Sequence, residues 1–139
     1  MEIAVPANLR CGQPDGEAAP PQAPAWAPLT YTFSGVWEIE PLTLLELGGR
    51  VQIIDVREPR EFTDLLGHVR GARLLPLSQL LGRLGDIDRS IPVVAVCRSE
   101  ARSAQATVLL GKAGFAEVAN LAGGMLRWHA ESLPCEGGG

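Results

Sequence analysis

Ile91-Pro92-Val93-Val94-Ala95-Val96-Cys97-Arg98-Ser99-Glu100-Ala101-Arg102-Ser103 joins the most continuous apolar run of the chain to a polar loop and then to a helical pattern. A run that is apolar at every position reads as a central strand of a parallel sheet, covered on both faces. Behind the loop, Ala101, Ala104 and Val108 recur at helical spacing until Gly111 and Gly114, which predicts a helix beginning directly after it. Cys97 therefore stands among unpaired N–H groups at the positive end of a helix dipole, with Arg98 and Arg102 as neighbouring cations. Such surroundings favour a thiolate and hold an anion.

Outward from this junction, strands and helices alternate. Val36 to Ile39 is a short strand, Glu40-Pro41 opens a helix with Pro in its first turn, and Gly48-Gly49 closes it. Val51 to Val56 is a β-rich run ending in charge, followed by a turn with a short helix over Arg57 to Phe62 and a loop over Leu66 to Gly71. Ala72 to Leu75 is a brief strand stopped by Pro76, and Ser78 to Leu84 places Leu80, Leu81 and Leu84 on one helical face. Downstream, Val118 to Leu121 supplies a fifth strand and Gly124 to Ala130 a last helix. Strands separated by helices predict an α/β fold, a parallel sheet with helices on both faces. Ligands in such sheets collect at the carboxyl ends of the strands. Asp55 and Cys97 both lie at such ends, so they can meet on one rim.

Composition bounds what the thiol can serve. The 139 residues suit one domain with its own core. Residues 1–30 read as a flexible Pro/Ala-rich arm, 31–134 as the folded domain and 135–139 as a frayed tail. Lys and Arg total 12 against 16 acidic residues, a net charge of −4, which argues against nucleic acid or an anionic membrane as the main partner. No run approaches a membrane span, and the start at Met1 lacks a basic leader and an apolar core, so a cytoplasmic location is expected. Cys11, Cys97 and Cys135 are odd in number and unevenly spaced, matching neither a disulfide framework nor a metal knuckle. Reduced thiols follow. The terminal glycines could also mark a sulfur carrier of the ubiquitin-like type, but the alternating pattern belongs to a different fold. No internal repeat is present.

Several separate motifs then point the same way. Asp55-Val56-Arg57-Glu58-Pro59, Glu61-Phe62, Gly67-His68-Val69, Gly71-Ala72, Pro76-Leu77, Cys97-Arg98-Ser99 with Arg102-Ser103, Gly114-Phe115, and Asn120 to Met125 with Trp128 occur in order between about Val36 and Pro134. Together they resemble a single-domain rhodanese. The resemblance implies a three-layer α/β/α sandwich around a five-stranded parallel sheet. It also implies a cysteine that carries sulfane sulfur as a persulfide, placing the nucleophile at Cys97 and an anion cradle on the backbone of Arg98, Ser99, Glu100, Ala101, Arg102 and Ser103. The expected reaction is two-step: a small anionic donor such as thiosulfate gives its outer sulfur to Cys97, and an acceptor thiol or cyanide removes it. Neither a metal nor an organic cofactor is required. The residues assign no oligomeric state.

Loop length separates this reading from its nearest relative. Phosphatases of the dual-specificity type on this sheet carry His before the cysteine and an Arg one position further along than Arg102; here Val96 precedes Cys97 and Ser103 occupies that position. The ring is too short to encircle a phosphate. A second alternative is a rhodanese-like scaffold that only docks a partner, against which stands an intact Cys97 flanked by Arg. Two departures from the family pattern are visible. Glu100 stands where Gly is common, and is read as a carboxylate capping the helix start in preference to one that tunes donor choice. Thr63 to Leu66 lengthens the loop before Gly67-His68.

Other polar residues have structural readings. Asp55 and Arg57 are expected to form a buried pair that props the loop. His68, between glycines, reads as a hydrogen-bonded structural imidazole, and His129 as a surface residue. Met125 and Trp128, which by analogy line the pocket wall, stand at a spacing usual for core. Cys135 reads as an exposed tail thiol, with persulfide resolution as the other possibility if the tail folds back, and Cys11 is given no role.

Overall fold

The computed structural model describes residues 22–137. The expectations for Cys11 and for most of the arm lie outside these residues, as do Gly138 and Gly139. In the described part, Ala27 is buried and Trp26 and Leu29 pack against the core.

Among the described residues, eight strands and four α-helices follow in chain order. They are β1 (Thr30–Tyr31), β2 (Trp37–Ile39), α1 (Pro41–Leu47), β3 (Gln52–Asp55), α2 (Pro59–Phe62), β4 (His68–Val69), β5 (Arg73–Leu74), β6 (Val93–Val96), α3 (Ala101–Lys112), β7 (Val118–Leu121), α4 (Gly124–Ala130) and β8 (Cys135–Glu136). The main sheet has the order β1-β2-β7-β6-β3-β5. The expected strands run parallel in it, and β1 adds an antiparallel sixth strand at the edge beside β2. A separate antiparallel pair joins β4 to β8. Both additions are two-residue strands, too short to show a period in sequence.

The apolar run Val93–Val96 forms the central strand β6, buried at every position. Its side chains alternate between two core layers. Val94 and Val96 pack with Ile39, Leu44, Ile53, Met125 and Trp128 beneath α1 and α4. Val93 and Ala95 pack with Ile54, Leu80, Ala106 and Leu110 beneath α3. The result is the three-layer α/β/α arrangement. Among the described residues no helix is long and apolar enough to cross a membrane.

One helix differs from its sequence expectation. Ser78 to Leu84 is two 3-10 segments, Leu77–Gln79 and Leu81–Asp86, with Arg83 at φ −127° between turns. Gly82 and Gly85 weaken a regular helix here. Leu80 is wholly buried while Leu81 is 58% exposed, so the stretch needs to bury only part of the predicted apolar face.

Candidate active site

Registers within the sheet bring the site together. Asp55 ends β3 directly beside Val96, the last residue of β6, so the chain leaves both strands on the same rim, as expected. Cys97 follows Val96, and Glu100 occupies the N-cap position of α3. Between them the loop turns its carbonyls toward the start of α4: Met125 N–H donates to Cys97 O and Leu126 N–H to Arg98 O, each at 2.9 Å. In a planar trans peptide the N–H points opposite to the C=O. The N–H groups of Arg98 and Ser99 therefore point away from α4. Among the described residues, none of the main-chain N–H groups from Arg98 through Ser103 has a hydrogen-bond acceptor; the first paired amide of α3 is Ala104, which donates to Glu100 O at 2.8 Å.

Gly124 makes this approach feasible. Its φ is +58°, and a Cβ there would stand 2.2 Å from Ser99 O, 2.6 Å from Arg98 O and 2.7 Å from Cys97 O. Only a residue without a side chain lets the helix start meet the loop carbonyls.

Cys97 itself is enclosed. It is 1% exposed and belongs to the layer of Ile54, Val56, Leu80 and Ala106, because it continues the face of Val93 and Ala95. Arg98, Ser99, Glu100 and Ala101 are exposed around it. Ser103, buried in the first turn of α3, places its Oγ 3.2 Å from Cys97 Sγ.

The cations divide. Arg98 faces solvent. Arg102 is held by Glu61 of α2 through two hydrogen bonds of 2.6 and 2.8 Å. Donating to the Glu61 carboxylate raises the guanidinium pKa above its ordinary value, with smaller contributions from Cys97 and Asp55. In return the Arg102 hydrogen bond holds Glu61 at about 2. Glu61 gave no role in sequence, although its place three residues after Glu58 forms the capping box that starts α2.

Asp55 and Arg57 form a fully buried pair. Arg57 Nε lies 2.9 Å from Asp55 Oδ1, and Arg57 Nη2 donates to Asp55 Oδ2 at 2.8 Å and to Gly67 O at 2.7 Å. The pair ties the end of β3 to the loop before β4. Glu100 departs from its expected capping role: its side chain makes no cap hydrogen bond in α3 and instead accepts from Gly123 N–H at 2.8 Å. The carboxylate thus joins the loop to the start of α4.

The remaining residues fall as follows. His68 is stacked on Phe62, and its Nδ1 lies 2.7 Å from Phe62 O. His129 is exposed, and Met125 and Trp128 are core. Cys135 corrects the expectation of an exposed tail thiol. It is half-buried in β8, where burial pushes its thiol pKa up, and it packs against the core layer opposite to that of Cys97. Asn120, fully buried on β7, touches Ser103 and so belongs to the site. Its signal in sequence was a carboxamide inside the apolar run Val118 to Leu121.

Comparison with known proteins gives the arrangement its context. An uncharacterised protein of Bacillus subtilis, YqhL, is 46% identical over 79 residues, 57% of this chain and 61% of YqhL. The thiosulfate sulfurtransferase GlpE of Shewanella oneidensis is 37% identical over 79 residues, 57% of this chain and 76% of GlpE. The chain therefore spans about three fifths of the first relative and three quarters of the second. The crystal structure of a rhodanese-related protein from Thermoplasma volcanium superposes with a TM-score of 0.67 at 26% identity, covering 72% of this chain and 97% of that one. The rhodanese-like domain pattern matches residues 42–131, from α1 through the end of α4, and the chain belongs to that family.

Proposed function

We propose that this chain is a cytoplasmic sulfurtransferase in which Cys97 carries a sulfane sulfur between a small anionic donor and an acceptor thiol or cyanide. The observation that carries the reading is the row of main-chain N–H groups from Arg98 through Ser103, directly after Cys97 in the chain, that have no acceptor among the described residues. Such a row stabilises an anion without a metal or an organic cofactor. Sulfurtransferase names among the relatives support the same class, and the name of one of them supports thiosulfate as donor.

The chemistry balances in two displacements. The Cys97 thiolate attacks the outer sulfur of thiosulfate, the S–S bond of the donor breaks, and sulfite leaves with the electron pair. Cys97 then holds a persulfide. An acceptor thiolate or cyanide attacks the outer sulfur, the persulfide S–S bond breaks, and Cys97 departs as thiolate. A persulfide donor enters by the same first displacement, with a thiolate as its leaving group. The N–H row favours both the persulfide anion and the outgoing sulfite. Because Cys97 lies at the floor of the loop, the site favours donors that present a slender terminal sulfur. Arg98 is the cation left to draw an anion in, since Arg102 is engaged with Glu61.

Incubation with thiosulfate, followed by intact mass, tests the assignment. One added sulfur is expected, removed by cyanide and absent in Cys97→Ser. An adduct abolished only by Cys135→Ser would move the site, and no adduct with any sulfane donor would leave a docking module as the better reading. Aryl phosphates are expected to be untouched, because Arg102 closes the loop too early for a phosphate ring.

A further inference from the structure

The proton of Ser103 has more acceptors than it can serve. Ser103 Oγ lies 3.2 Å from Cys97 Sγ and 3.2 Å from Glu100 O, and it also contacts Asn120 Oδ1. A hydroxyl donates one hydrogen bond. If it goes to Asn120 Oδ1, the contact with Cys97 is favourable only when sulfur is the donor, as a neutral S–H. Asn120 Nδ2 is then buried with no partner among the described residues, on a side chain with no exposure.

The same atoms allow a second arrangement. With the carboxamide turned end for end, Nδ2–H donates to Ser103 Oγ, and the Ser103 proton is free to point at Cys97 Sγ. The unpaired group becomes a carbonyl oxygen, which proteins tolerate better than a buried N–H. Glu100 O remains a competitor, but an anionic sulfur is the stronger acceptor. No covalent bond changes in this switch. The carboxamide turns about Cβ–Cγ and the hydroxyl about Cβ–Oγ, while the proton lost by Cys97 passes to solvent.

We infer that Asn120 is a positioning residue: it steers the Ser103 hydroxyl onto Cys97 whenever that sulfur is anionic, as thiolate or persulfide, and releases it when the sulfur is a neutral thiol. The inference deepens the proposed sulfur-carrier role of Cys97. The relay, however, is a property of the thiol and can be measured without any sulfur donor.

The test uses the full chain carrying Cys11→Ser and Cys135→Ser, so that Cys97 is the one thiol, and follows the ultraviolet thiolate absorbance as pH is raised with the Tyr31 phenolate contribution measured at its own longer-wavelength band and subtracted. Ser103→Ala is expected to move the midpoint up by about one pH unit, the size of one lost hydrogen bond to an anion. Ser103→Thr, which keeps the hydroxyl, is expected to restore it. Asn120→Leu, uncharged and of similar size, is expected to shift the midpoint upward in the Ser103 chain and to add nothing in the Ser103→Ala background. Equal shifts in both backgrounds, or no shift from Ser103→Ala, would overturn the relay. If near-ultraviolet circular dichroism shows Asn120→Leu unfolded, Asn120→Asp replaces it. Its carboxylate captures the Ser103 proton, so its upward shift must be larger with the serine than without. Failure to take sulfur from any sulfane donor, thiosulfate or persulfide, with these shifts intact, would sink the proposed function and leave the relay standing.

Discussion

Glu61 and Arg102 set one of the pH limits of the site. Their two hydrogen bonds hold the Glu61 carboxyl at about 2 against an ordinary 4.5, with burial opposing the shift and the Glu58 backbone and Arg57 adding to it. A folded value below the unfolded one contributes stability that is complete above about 4.5 and is lost as pH falls toward 2. Solvent reaches both side chains, so screening reduces the contribution to about 1 kcal/mol. Glu61→Gln is therefore expected to lower the unfolding free energy by about that amount at neutral pH in urea titrations, with the gap to the parent closing as pH approaches 2. A gap that persists in acid would mean that packing, not charge, joins α2 to α3. Legibility at this scale followed separation along the chain. Asp55 and Arg57 are two positions apart, directly after an apolar run, and their pairing was readable. Ser103 with Asn120 and Arg102 with Glu61 join residues on different elements, so the sequence named none of these partners.

The start of α4 has a steric task. Gly124 meets three loop carbonyls at distances no Cβ tolerates, and its φ of +58° is itself unfavourable for any other residue. Gly124→Ala is expected to cost at least about 2 kcal/mol in chemical unfolding and to abolish sulfur loading of Cys97, because the loop must back away from the helix. Gly111, within α3, faces open space and supplies the contrast. Gly111→Ala is expected to stabilise by about 0.5–1 kcal/mol with loading unchanged. If both alanines behaved alike, helix propensity alone would explain them and the loop contact would carry no weight. The helices α1, α3 and α4 were legible because Pro41, Gly48 and the spacing of apolar residues marked their ends. The stretch after Pro76 was not, since three leucines define a helical face equally well when two 3-10 turns bury only part of it. Glu100 misled for a related reason. An acid at a helix start fits a cap, and only the nearness of Gly123, more than twenty positions away along the chain, redirects it.

Across the whole molecule, the far end of the chain braces the site from behind. Residues Cys135 and Glu136 pair with Val69 and His68. His68 stacks on Phe62, the neighbour of Glu61, which holds Arg102 in the Cys97 loop. Pro134 O accepts Trp128 Nε1 at 2.9 Å, closing the core beneath α4. Period and propensity revealed the five parallel strands because each lies in an apolar or alternating stretch flanked by turn residues. They could not reveal β8, whose pairing depends on a partner more than sixty positions earlier and on two residues of ordinary polarity. A chain ending at Leu133 loses that pair and orphans the buried indole N–H, which together are worth about 2 kcal/mol or more. Its melting temperature is expected to fall by about 5 °C or more in calorimetry. Glu136→Ala keeps the backbone pairing and removes two weak contacts of an exposed carboxylate, to His68 at 3.8 Å and from Gly71 N–H at 3.5 Å, so it is expected to leave the transition within about 1 °C. A shortened chain that melted with the parent would show that β4 and β8 add nothing to the fold. In that case the path from the last strand through His68 and Phe62 to Arg102 would have no bearing on how the loop is held.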